Sequence, residues 1–76
     1  MWRFKYHIMK RVDLSRAERV KEFVEVARTK TCDVILKHDK WVVDGKSILG
    51  IFSLNLSTPV DLYTEDYTGF EEFIVD

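Results

Sequence analysis

The stretch Lys46-Ser47-Ile48-Leu49-Gly50-Ile51-Phe52-Ser53-Leu54 follows a polar Asp44-Gly45-Lys46 turn and places a serine where a helix N-cap belongs. Ile48, Leu49, Ile51 and Phe52 then fall at helical spacing, so the segment from about Ser47 to Leu54 reads as a short helix. A helix this short cannot turn all four apolar side chains toward one sheet. Core packing takes at least half of them. The remainder among Ile48, Leu49 and Phe52 projects outward beside Ser47, and an exposed apolar patch of that kind marks a contact surface.

The segments on either side decide what that helix packs against. Upstream, Trp41-Val42-Val43 reads as a short strand, joined through the tight connection His38-Asp39-Lys40 to a strand in which Cys32, Val34 and Leu36 alternate with Asp33, Ile35 and Lys37. Before it, Val20, Phe23, Val24 and Ala27 recur at i, i+3, i+4 and i+7, which predicts an amphipathic helix from about Arg16 to Arg28. Ser15 and Glu18 have the spacing of a capping box at its start. Trp2, Phe4, Tyr6 and Ile8 alternate with Arg3, Lys5 and His7 as in a first strand. Downstream, Pro59 precedes a strand from Val60 to about Glu65, with Val60, Leu62 and Thr64 on one face. The tail from Thr68 to Asp76 has room for about two helical turns. The order is βαββαβ plus a short C-terminal helix. It predicts an α+β fold, a four-stranded antiparallel sheet with helices on one face.

Composition narrows the function classes. The 76 residues make one domain, 1–76, of a size that buries only about 60% of its unfolded surface. Twelve basic and 13 acidic residues leave a net charge of −1, with no general attraction to nucleic acid or to a membrane surface. The single Cys32 excludes an intramolecular disulfide, and no apolar run approaches the roughly 18 residues of a membrane span, so a cytoplasmic protein is expected. Cys32 reads as a small core residue, and His7 and His38 as solvated residues of a strand face and a turn. No pair has metal-ligand spacing, and no glycine-rich phosphate loop or nucleophile elbow is present. Neither a cofactor, a metal nor an enzymatic activity is expected.

The run Lys-Ser-Ile-x-Gly-x-x-Ser-Leu at 46–54 resembles the second helix of the histidine-containing phosphocarrier proteins, HPr, of the bacterial sugar phosphotransferase system. From Phe23 to Leu54 the chain follows that family's helix, strand, strand, helix pattern without a gap. The resemblance implies an open-faced β-sandwich and a regulatory phosphorylation site at Ser47. It also implies a partner-docking surface from Lys46, Ile48, Leu49 and Phe52, with phosphotransferase-system components or an HPr kinase as partners.

Two departures matter. The family carries phosphate on the histidine of a Gly-x-His-x-Arg-Pro-Ala motif, whereas this chain reads Val12-Asp13-Leu14-Ser15-Arg16-Ala17-Glu18-Arg19-Val20. One alignment register puts Arg16 at the phosphocarrier position and the other puts Ser15 there. A guanidinium stays protonated and cannot be the nucleophile, and a phosphoserine ester is too stable to relay phosphate. The expected function is therefore a regulatory or binding module that does not relay phosphate through histidine. The alternatives are a phosphocarrier with an atypical site and a diverged oligomerising module unrelated to sugar transport. The second departure is the short C-terminus, which predicts a homodimer in which Tyr63, Tyr67, Phe70 and Phe73 supply the missing cover.

Overall fold

The computed structural model describes residues 9–75. The alternating segment from Trp2 to Ile8, including His7, lies outside the described residues. The elements are β1 (Lys10–Val12), α1 (Ala17–Ala27), β2 (Val34–His38), β3 (Trp41–Asp44), α2 (Ile48–Phe52), β4 (Val60–Thr64), a 3₁₀ turn (Glu71–Phe73) and β5 (Ile74–Val75). The fold is α+β, and its sheet has five strands rather than four, all antiparallel, in the order β3-β2-β4-β1-β5.

Register sorts the side chains into two layers. Val12 pairs with Val60, Leu36 with Leu62 and Val43, and Val34 with Thr64, so these residues share one face. That face carries the core. Val12, Val34, Leu36, Val60 and Leu62 are buried there against Val20, Phe23, Val24 and Ala27 of α1 and Ile51 of α2. Arg11, Ile35, Lys37, Val42, Asp44, Asp61, Tyr63 and Val75 fall on the opposite face.

The tail corrects the expected C-terminal helix. Phe70 and Phe73, separated by a single 3₁₀ turn, both point inward and are fully buried. Their rings meet Phe23 at centroid distances of 4.7 and 5.5 Å. The chain then extends, and Ile74 and Val75 pair with Val12 and Arg11 as the fifth strand. Two rings with a strand complete the core where a longer helix would otherwise have been needed. Phe70 and Phe73 are therefore unable to supply a dimer contact.

The start of α1 brings a second correction. Ser15 does not cap it. Arg16 holds the N-cap position without a side-chain cap bond, and the Ser15 N–H donates to Asp13 Oδ1 at 3.0 Å. Asp13, two residues earlier, captures that amide in an Asx turn, which delays the helix to Ala17. At the hairpin, His38 is the last residue of β2, and the turn itself is Asp39-Lys40. Asp39 takes φ 58°, the left-handed conformation that primed hairpin turns require at their first position. Cys32 lies ahead of β2, half-buried, with Sγ 3.5 Å from Thr64 Oγ1, so it borders the core rather than joining it.

Candidate functional site

The geometry around Ser47 is set by the end of the β2–β3 hairpin. Gly45 N–H donates to Val34 O at 2.7 Å. A Cβ on Gly45 would lie 2.6 Å from Val34 Cγ1 and 3.0 Å from Val34 O, so only glycine permits this approach. Asp44 then accepts twice, through Oδ1 from Lys46 N–H at 2.9 Å and through its carbonyl from Ser47 N–H at 3.0 Å. The turn so closed delivers Ser47 as the N-cap of α2, its Oγ accepting from Gly50 N–H at 3.1 Å.

Five residues of helix then divide their apolar side chains between core and solvent. Ile51 is buried, and Ile48 packs against the core. Leu49 is 80% exposed and Phe52 45%. The serine hydroxyl and this apolar pair thus belong to the same short segment.

Lys46 has a structural occupation. Its Nζ donates to Lys30 O at 3.0 Å, and its own carbonyl accepts from Arg28 Nε at 3.3 Å. These two bonds tie the exit of α1 to the entry of α2. Lys30 continues the chain of contacts: it pairs with Asp66 at 3.2 Å, donates to Thr68 O and lies 5.4 Å from the Phe70 ring centroid. Arg28 and Lys30 did not stand out in the sequence. Both follow the C-terminus of α1, but their side chains reach Lys46 O and Thr68 O, residues 18 and 38 positions away, so no local signal marks these roles. Trp41, 64% exposed on β3, is a second surface feature that its strand-like pattern did not announce.

Ser15 and Arg16 stand at the opposite, α1 end, both exposed. Two hydrogen bonds from Ser15 to Asp13 hold the aspartate carboxyl below its ordinary value, with Arg19 and Arg16 adding favourable charge. Arg19 is committed elsewhere. Its guanidinium donates to Asp13 O and Glu72 O and lies over the Phe73 ring. His38 lies at the hairpin end of β2, with Nε2 3.3 Å from Thr58 Oγ1. Among the described residues no histidine occurs in the Ser15–Arg19 segment, and no group of three His, Cys, Asp or Glu side chains could hold a metal ion. Nor is any described helix long and apolar enough to cross a membrane.

No family model, no curated protein and no solved structure matches the chain. Function has to be argued from the site itself.

Proposed function

We propose that this chain is an HPr-like regulatory or binding module that does not relay phosphate, and that its working surface is Leu49 and Phe52 beside Ser47. The observation that carries the reading is the exposure of those two apolar side chains on the helix that Ser47 caps. An exposed leucine and phenylalanine have no role in the core of their own chain, and with an acceptor hydroxyl alongside they form a docking patch with a modifiable centre. The placement of both helices against one face of an antiparallel sheet supports the open-faced sandwich of the HPr family. The fifth strand departs from it.

A phosphate on Ser47 would add about −1.5 to −2 charge at neutral pH. With only five residues, α2 offers a small dipole. Two cations belong to the same stretch of structure: Lys46, next in sequence, with its ammonium on Lys30 O, and Arg28, bonded to the Lys46 carbonyl. The partner that the HPr resemblance implies is a protein of the phosphotransferase system or an HPr kinase. At the other end, Ser15 and Arg16 supply no nucleophile fit for a labile phosphoryl group, and the chain is not an enzyme.

Incubation with an HPr kinase and labelled ATP tests this. Incorporation is expected at Ser47, abolished by Ser47→Ala, retained in Ser53→Ala and Ser57→Ala, and slowed by Leu49→Ala or Phe52→Ala. A kinase that modifies an ordinary HPr in the same tube and ignores this chain overturns the regulatory reading. Phosphoenolpyruvate with the general phosphotransferase enzyme should leave the chain unlabelled. Acid-labile phosphate appearing under those conditions, and lost with His7 or His38, would establish the carrier alternative.

A further inference from the structure

Three cations stand where the exit of α1 meets the entry of α2, and two of them are already committed. Lys30 pairs with Asp66 at 3.2 Å and donates to Thr68 O. Lys46 places its ammonium on Lys30 O at 3.0 Å. Arg28 differs from both. It is exposed, its Nε donates to Lys46 O at 3.3 Å, and its two terminal nitrogens have no partner among the described residues. Glu25, one turn earlier on α1, makes no ion pair with it among those residues.

The single bond of Arg28 decides where its guanidinium stands. The Lys46 carbonyl belongs to the peptide plane that ends on Ser47 Cα, and in a trans peptide its oxygen lies on the Ser47 side. Arg28 Nε is therefore within about 6 Å of Ser47 Cα. Its terminal N–H groups reach beyond Nε, and a phosphate would reach outward from Ser47 Oγ, so the two groups together can close that distance. The hydroxyl is itself held, with Oγ accepting from Gly50 N–H at 3.1 Å. Asp44, whose Oδ1 accepts from Lys46 N–H, adds a negative charge to the same turn. A second anion there needs a cation of its own.

We propose that Arg28 is the residue of this chain that receives a phosphate carried by Ser47, through its terminal N–H groups, while Nε stays on Lys46 O. A guanidinium offers parallel donors that match two phosphate oxygens, whereas Lys30 and Lys46 would each have to give up an existing bond. The inference rests on the reading of Ser47 as a modification site and deepens it. Arg28 acts as a positioning residue: it fixes the phosphate against the end of α1 and favours its doubly ionised form.

The full chain made with phosphoserine built in at position 47 tests the pairing with no kinase present. Its failure is thus distinct from a kinase's refusal of the chain, which would overturn the regulatory reading alone. The second ionisation of phosphoserine falls near pH 6, at about 6. Followed by phosphorus-31 NMR, it should lie at least about 0.5 pH unit lower in the folded chain than in urea, since a close cation favours the dianion. Arg28→Gln should return most of that difference. Lys21→Gln, which removes an exposed cation elsewhere on α1, should return none, and Lys46→Gln little. Arg28→Lys should keep a part, because the charge remains while the paired donors are lost. Circular dichroism checks the fold of each variant. Should Arg28→Gln fold poorly, the side-chain NMR signals of Arg28 in the otherwise unaltered phosphorylated chain decide the matter, and they should shift with the same midpoint as the phosphorus signal. A midpoint indifferent to Arg28→Gln, a difference removed by Lys21→Gln or Lys46→Gln instead, or Arg28 signals that ignore the ionisation overturns the proposal.

Discussion

Arg19 and Glu72, 53 residues apart in the chain, are joined by a hydrogen bond of 2.9 Å from the Arg19 guanidinium to the Glu72 carbonyl. The same guanidinium bonds Asp13 O at 3.0 Å and covers the Phe73 ring at 5.1 Å. One side chain on the first turns of α1 therefore holds the loop before it and the tail that closes the core.

Arg19→Ala should destabilise the fold by about 1–3 kcal/mol, the range for hydrogen bonds made by a charged group, tempered by partial exposure. Arg19→Lys should recover only part of the loss, since an ammonium cannot span two carbonyls in a plane. Urea unfolding of the three proteins measures this. Equal stability of all three would show that the tail needs no such clamp.

Truncation should separate buried from exposed phenylalanines sharply. Phe70→Ala or Phe73→Ala should cost about 3–5 kcal/mol, because each ring is fully buried against Phe23. For a domain with about 5–15 kcal/mol in total, that brings the chain close to unfolding. Phe52→Ala, on the exposed side of α2, should change stability by no more than about 0.5 kcal/mol. Chemical denaturation followed by tryptophan fluorescence gives the comparison.

Ser47→Ala removes the acceptor for Gly50 N–H and should lower stability by about 1 kcal/mol. Ser47→Asp keeps an acceptor at the same position and should fall between the two. Melting temperatures that rank serine, then aspartate, then alanine would confirm the cap as an acceptor effect. Equal losses for both variants would refute it.

Acid should weaken the fold through two carboxylates. Asp13, bonded by Ser15, and Asp66, bonded by Thr68 N–H and paired with Lys30, both sit below their ordinary value of 3.8 in the folded chain. Each depressed carboxyl contributes stability that is fully present above its unfolded value and is lost as pH falls through the folded one. Melting temperature should thus decline below about pH 4. The double variant Asp13→Asn, Asp66→Asn should show a shallower decline. An unchanged slope would assign acid unfolding to other groups.

Gly45→Ala should cost about 1–3 kcal/mol through overpacking, since the new methyl group would fall 2.6 Å from Val34 Cγ1. Val34→Ala in the same chain should recover part of that loss by removing the clashing methyl, which a double-mutant cycle can resolve.

Where neighbours along the chain suffice, the residues speak for themselves. The i, i+3, i+4, i+7 pattern of Val20, Phe23, Val24 and Ala27 predicts α1 to within one residue at each end, and all four are buried. The alternation of Val60, Leu62 and Thr64 assigns the inner face of β4, and Ser47 caps α2 as its position in the sequence requires. These are local periodicities and a three-residue hydrogen bond, readable without knowing what lies across the core.

Tertiary structure alone decided the rest. It turned the tail into a 3₁₀ turn and a fifth strand, because Phe70 and Phe73 fill space beside Phe23 and Ile74 finds a partner in Val12. Lys46 became a tie to Lys30, and Ser15 a donor to Asp13 in place of a cap. Each of these outcomes is a competition, and its winner is set by groups brought close only when the chain folds. A residue such as Arg19, whose partner lies 53 positions away, has no local signature of that role.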